Sequence, residues 1–166
     1  ESDLVVSIGG SGVAKVFATS LDQGSFDNCE VDSILVRRMS DNCGISGDST
    51  FAPFVKFCCE DVALSPIMVI MRVIDKNGNY NDCMVSVLVE DKIKPVCQAP
   101  AQVTVNCENF DPSLWAYGKA DVTDNCCLDS TKVYQGQVGL SHSVNYALFD
   151  TVCNKGTITR TFLSLI

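Results

Sequence analysis

The chain has 166 residues, 46% of them hydrophobic, a formal net charge of −8 and an isoelectric point near 4.4. That composition excludes wholesale disorder, and the acidic balance supplies none of the clustered Lys and Arg that would neutralise nucleic-acid phosphates. Ten cysteines stand beside one histidine without the short Cys-x-x-Cys or Cys/His spacings of zinc sites, so they read as disulfides of an exported, extracellular protein.

Short runs of β-branched and aromatic residues recur between clusters of Gly, Asn, Asp and Ser, the pattern of an all-β sandwich, and no stretch reads as a helix. In the first half, strands are expected over 4–8 (A), 13–19 (B), 33–39 (C), 54–59 (E), 67–74 (F) and 84–89 (G). Strand G alternates cleanly, with Cys83, Val85, Val87 and Val89 on one face. Strand F is apolar on both faces and is expected at the centre of its sheet. Asn77-Gly78 reads as the hairpin turn between them. After EDKIKP the pattern restarts, with strands over 96–107 (A), 118–122 (B), 132–137 (C), 143–149 (E) and 157–165 (F). A shared DNC at 27–29 and 124–126 marks a weak internal repeat. The expected architecture is a tandem of immunoglobulin-like β-sandwich modules, 1–91 and 92–166, the second lacking its last strand. Its edge at 157–165 is then open to a donated strand. No apolar run approaches the roughly 18 residues of a membrane span. There is no initiator Met or signal peptide, and the chain reads as a segment of something longer.

Catalysis needs a nucleophile with a base, an open metal position or a carboxylate pair in a cleft. His142 is the one conventional base and has no partner motif, so no catalytic site is expected. Trp115, in DPSLWAYGKA, is either a core plug or a stacking platform for carbohydrate, with general packing favouring the plug. Arg37-Arg38 reads as a solvated strand with one arginine near an acidic loop. Disulfide pairing follows from reach. Strand C, roughly nine residues at about 3.3 Å each, holds Cys29 and Cys43 near opposite poles, beyond bonding distance. Cys29 is therefore expected with Cys83 and Cys43 with Cys58 or Cys59. In the second unit Cys97 is expected with Cys126 or Cys127, and Cys107 with Cys153, which leaves one cysteine over in each unit.

In such a sandwich the BC and FG loops share one pole, while the EF loop and the exit of G share the other. Asp22, Asp27, Asp75 and Asn79 are then expected to converge at the first pole. Glu60, Asp61, Glu90 and Asp91 are expected to face Asp124 and Asn125 of the next module. Oxygen-rich clusters of this kind suit calcium, in an arrangement similar to the linker sites of cadherins, or else are solvated acidic loops; both readings stand on the sequence.

The stretches LDQGSFDNC, FCCEDV, MRVIDKNGNYNDCMVSVLVEDKIKPVC, VTVNC and GTITRTF resemble the hyalin-repeat and related immunoglobulin-like modules of very large secreted surface adhesins of gliding Bacteroidota. The likeness covers most of the chain and is most specific over D-x-x-G-N, the following Cys and V-x-D-x-x-x-P. It implies type IX export, a place on the cell surface and a structural role as a stalk in attachment and gliding motility. It further implies neighbouring modules of the same polypeptide and surface-anchoring proteins as partners, with extracellular polysaccharide as an indirect target. The chain shows neither the sorting domain nor a ligand-binding domain of such proteins. The Bacteroidota-type O-glycosylation pattern fits at Ser33, Ser49, Ser130 and Thr151. The rival readings are a carbohydrate- or protein-binding module and an accessory domain of a secreted hydrolase.

Overall fold

The computed structural model describes residues 4–28, 30–40, 43–44, 49–152 and 155–166. The protein is all-β and divides into two compact units, Glu1–Ile93 and Lys94–Ile166. In the first unit, period-two alternation makes the strands. β4 (Phe54–Cys58) buries Val55 and Phe57, and β5 (Ile67–Asp75) buries Ile67, Val69 and Met71. β6 (Tyr80–Glu90) buries Val87 and Val89, and β3 (Val31–Arg38) buries Val36 and Arg38. Alternate residues of a strand point to opposite faces, so each ladder has one apolar face and the core lies between them.

One sheet has the order β1-β6-β5-β3, with β1 spanning Leu4–Ser7. β1 runs parallel to β6, with Leu4 opposite Val87 and Ser7 opposite Glu90. β6 and β5 are antiparallel, as are β5 and β3. The second ladder pairs β2 (Val13–Phe17) with β4, Val13 opposite Cys58. β5 is central, in accord with its two apolar faces.

Two elements depart from the sequence expectation of no helix. The end of predicted strand B is α1 (Ala18–Leu21), in which Ala18 and Leu21, one turn apart, are both buried. The end of predicted strand E is α2 (Cys59–Leu64), begun by a capping box in which Asp61 accepts the Cys58 backbone N–H. A reciprocal cap satisfies two otherwise unpaired backbone donors and turns the chain out of the strand.

Among the described residues the second unit has three two-stranded antiparallel ladders. β7 (Val96–Gln98) pairs with β8 (Asp121–Thr123), and β9 (Val133–Tyr134) with β10 (Gln137–Val138). β11 (Leu140–Asp150) pairs with β12 (Lys155–Ser164). Predicted strand C is thus a tiny hairpin, because Gln135 and Gly136 both take positive φ (50° and 77°) and reverse the chain. Predicted strands E and F are direct hairpin partners, whereas E and F of an immunoglobulin sandwich lie in different sheets; the letters do not carry over here. Predicted strand A is paired only over 96–98, and 99–106 follows it without joining a ladder among the described residues. Ala120, Val122 and Leu140 form the buried centre, with Cys97, Leu128, Tyr134 and Phe162 packed on it.

Candidate functional site

The most enclosed polar group lies in the first unit. The alternation that buries Val36 turns Arg38 inward, leaving 1% of its side chain exposed, and Asp61 at the start of α2 is fully buried. Nη1 and Nη2 of Arg38 donate to the two Asp61 oxygens at 2.7 and 2.5 Å. Nη1 also donates to the Lys56 carbonyl at 2.8 Å, and Nε to the Ser40 carbonyl at 3.0 Å. The Cys43–Cys58 disulfide covers the pair, with the Cys43 sulfur 3.3 Å from Nη1. A charge pair taken out of water persists only when geometry and further hydrogen bonds compensate its desolvation, and here both do. Arg38 is therefore a core residue and not part of a solvated strand.

Cys43 takes Cys58 rather than Cys59, because Cys58 turns inward at the end of β4 while Cys59 begins the helix. Cys59 in the first unit is also a disulfide cysteine, and so, in the second, is Cys126. Cys97 is a thiol, as is Cys127. Cys97 sits opposite Val122 and faces the apolar cluster, which removes it from the expected bridge to Cys126 or Cys127. Cys29 and Cys153 lie outside the described residues. Cys83 is an exposed thiol, held above its ordinary value by partial desolvation and then by the Asp82 and Asp22 carboxylates. Cys107 opens a 3-10 turn over Cys107–Asn109.

Six of the carboxylates expected to hold calcium, Asp22, Asp61, Asp75, Glu90, Asp91 and Asp124, are turned onto groups of their own chain. Asp22, Asp27, Asp75 and Asn79 all line one groove of about 990 Å³ in the first unit. Asp22 Oδ1, however, accepts from the Ser25 backbone and hydroxyl. Asp75 Oδ1 accepts the N–H groups of Asn77 and Asn79 at 2.8 Å each, and its Oδ2 accepts the Asn79 side-chain amide at 2.9 Å. Glu90 pairs with Lys92 at 2.8 Å, and Asp91 accepts the Ile93 N–H at 3.0 Å. Asp124 Oδ2 accepts the Cys126 N–H, and Glu60 is exposed in the first turn of α2. Asp61, engaged by Arg38, is unavailable to an ion. Among the described residues, one set of three or more His, Cys, Asp or Glu brings its ligand atoms within 4.8 Å of one another, namely Cys43, Cys58 and Asp61. The disulfide and Arg38 occupy that set. Calcium asks for six to eight oxygens aimed at one point, and Asp22, Asp75, Asp91 and Asp124 each spend a carboxylate oxygen on a backbone N–H of their own loop.

The groups around the β5–β6 turn stabilise the hairpin itself. Gly78, at φ 85°, closes the turn with its N–H on the Asp75 carbonyl. Arg72 forks onto Asp82 at 2.7 and 2.8 Å and stacks over both Phe51 and Tyr80, 3.9 Å from each ring centre. The Asn79 amide holds the Asp75 carboxyl below its ordinary value, the Arg72 guanidinium does so for Asp82, and hydroxyls of Ser25, Ser113 and Thr131 do so for Asp22, Asp111 and Asp129. A carboxylate depressed in the folded state stabilises above its unfolded value and loses that contribution as pH falls through the folded one. Thermal melts are therefore expected to weaken progressively below about pH 4, near the ordinary carboxylate value. Asp75→Asn, which keeps the turn acceptor but cannot titrate, should show a shallower decline; an unchanged slope would remove Asp75 from the account.

Trp115 is 64% exposed and is not the core plug that packing favoured. Its loop is tightly tied. Leu114 takes a left-handed φ of 64° and is buried in its place. Asp111 accepts from the Ser113 N–H and hydroxyl. The Tyr117 hydroxyl accepts the Asp111 N–H, and Arg160 donates to the carbonyls of Leu114, Tyr117 and Gly118. Replacing an exposed side chain away from such ties changes stability by only about 0.5 kcal/mol. Trp115→Ala is expected to stay within that range in urea titrations monitored by circular dichroism, whereas a loss above about 2 kcal/mol would restore the plug. His142 lies on β11, stacked on Tyr134 with ring centres 3.6 Å apart. No protein-family model, curated protein or solved structure matches the chain.

Proposed function

We propose that the chain is a structural segment of an extracellular surface protein, two β units in tandem that space the adhesive parts of a stalk used in attachment and gliding. The observation that carries this reading is the use made of the acidic and amide side chains. In the first unit they tie turns, cap a helix and lock a buried ion pair under a disulfide, and in the second they tie turns, which stiffens each unit instead of presenting a reactive centre. The disulfides fit an oxidising compartment outside the cell. No helix among the described residues is long and apolar enough to cross a membrane. The resemblance noted from the sequence supplies the type IX and gliding context.

The decisive experiment replaces residues 1–166 in the parent protein by unrelated β modules of equal length. A spacer predicts that surface display, attachment and gliding persist, while deletion without replacement impairs them. Loss of attachment with the equal-length replacement would favour the second reading, a binding module presenting Trp115 from its rigid loop to carbohydrate or protein.

A further inference from the structure

The second unit contains a groove of about 830 Å³ between two extended segments that, among the described residues, share no ladder across it. One wall is the consecutive run 99–106, the other the consecutive run 155–160 of β12. Consecutive residues of a strand point to opposite faces, so a wall lined by all of them is an edge and not a face. β11 contributes only Phe149, which places the groove along the edge of β12 away from its hairpin partner. The first wall carries Val103-Thr104-Val105, a strand sequence that no ladder includes, with both valines exposed. A sequence that favours a strand while its structure supplies no partner points to a missing neighbour.

The first unit shows what fills the same place. Its sheet runs β1-β6-β5-β3, and the second unit shows the 101–105 segment, the groove, then β12 and β11. The groove therefore occupies the position of β6. Charge narrows the occupant further, because the charged residues lining the groove are Lys155 and Arg160, both cationic in a chain of net charge −8. β6 carries two acidic residues beside its alternating apolar ones, Asp82 and Glu90.

We propose that this groove is a strand-acceptor site that takes an extended acidic segment of β6 character, antiparallel to β12 and parallel to 101–105, by β-augmentation. Main-chain hydrogen bonds to both walls would supply affinity, and Lys155 the preference for an acidic strand. The site does not depend on the stalk reading, since a spacer and a binding module could each accept a strand.

The test uses the whole chain and an 11-residue peptide of the β6 sequence with Cys83→Ser, read by hydrogen exchange and by titration of a fluorophore on the peptide. Saturable binding with slowed exchange at both 101–105 and 157–162 is expected. It should be lost with a peptide bearing Val85→Pro and Val87→Pro, reduced about 10-fold by Val103→Pro in the chain, and weakened about threefold by Lys155→Glu. Because Val103 lies outside every ladder and Lys155 is exposed, both variants should fold, which circular dichroism verifies. Equal binding of a scrambled peptide, protection of one wall alone, or protection confined to the first unit would overturn the proposal. Concentration-dependent dimerisation that protects the same two segments without peptide would assign the groove to a second copy and overturn the occupant named here.

Discussion

Arg38→Met is expected to destabilise the first unit by about 3–5 kcal/mol, because it strands the Asp61 carboxylate in a site with no access to water. Hydrogen exchange of the β3 and β4 amides in the whole chain would read the loss unit by unit. Adding Asp61→Leu should recover much of it, since a buried pair replaced by apolar groups of similar volume is often tolerated. Recovery should be incomplete, because Asp61 also accepts the Cys58 N–H that begins α2, a capping contact worth about 0.5–2 kcal/mol. A single-variant loss below about 1 kcal/mol would mean that water reaches the site and that the pair is not a core element.

Removing the Cys43–Cys58 bridge should be nearly as severe. Its sequence separation is 15 residues, and cross-linking a loop of that length contributes about 3 kcal/mol by restricting the unfolded chain. Cys43→Ala with Cys58→Ala is therefore expected to lower stability by about that amount in urea titrations. The bridge and the ion pair touch through Nη1 of Arg38. The combined variants should accordingly depart from additivity, by about 0.5–3 kcal/mol, where distant sites would simply sum. Additive behaviour would separate the disulfide from the polar centre it covers.

The strands of the first unit were legible because each carries its apolar residues at period two, and F betrayed its central place by being apolar on both faces. Arg38 was misread through its charge, although Val36 and Arg38 share parity on β3 and that parity already aimed the guanidinium at the core. The helical turns were hidden because α1 has four residues and α2 six, too short for a repeating pattern to show. Asp22, Asp27, Asp75 and Asn79, grouped from the sequence as cation ligands, line one groove. The sequence could not show that the Asp22 and Asp75 oxygens face backbone N–H groups two to four residues away, because the same residue types favour turns and cation sites alike. In the second unit, Gln135-Gly136 lacked the Asn-Gly signature of a tight turn, and 101–105 has every local mark of a strand without the neighbour that would make it one.

The parallel pairing of β1 with β6 has a mechanical meaning. Leu4 lies opposite Val87 and Ser7 opposite Glu90, so the beginning of the first strand and the end of the last strand sit at opposite ends of a single ladder, which the Ile8 N–H extends onto the Glu90 carbonyl at 2.9 Å. Tension applied at those two points drags the strands past each other along their length. Every hydrogen bond of the ladder then carries load at once, and none can be opened alone from an end. A hairpin such as β11–β12, pulled apart at its open end, would give way one pair at a time. The first unit is thus set to resist stretching along the chain by shear, as a lap joint does.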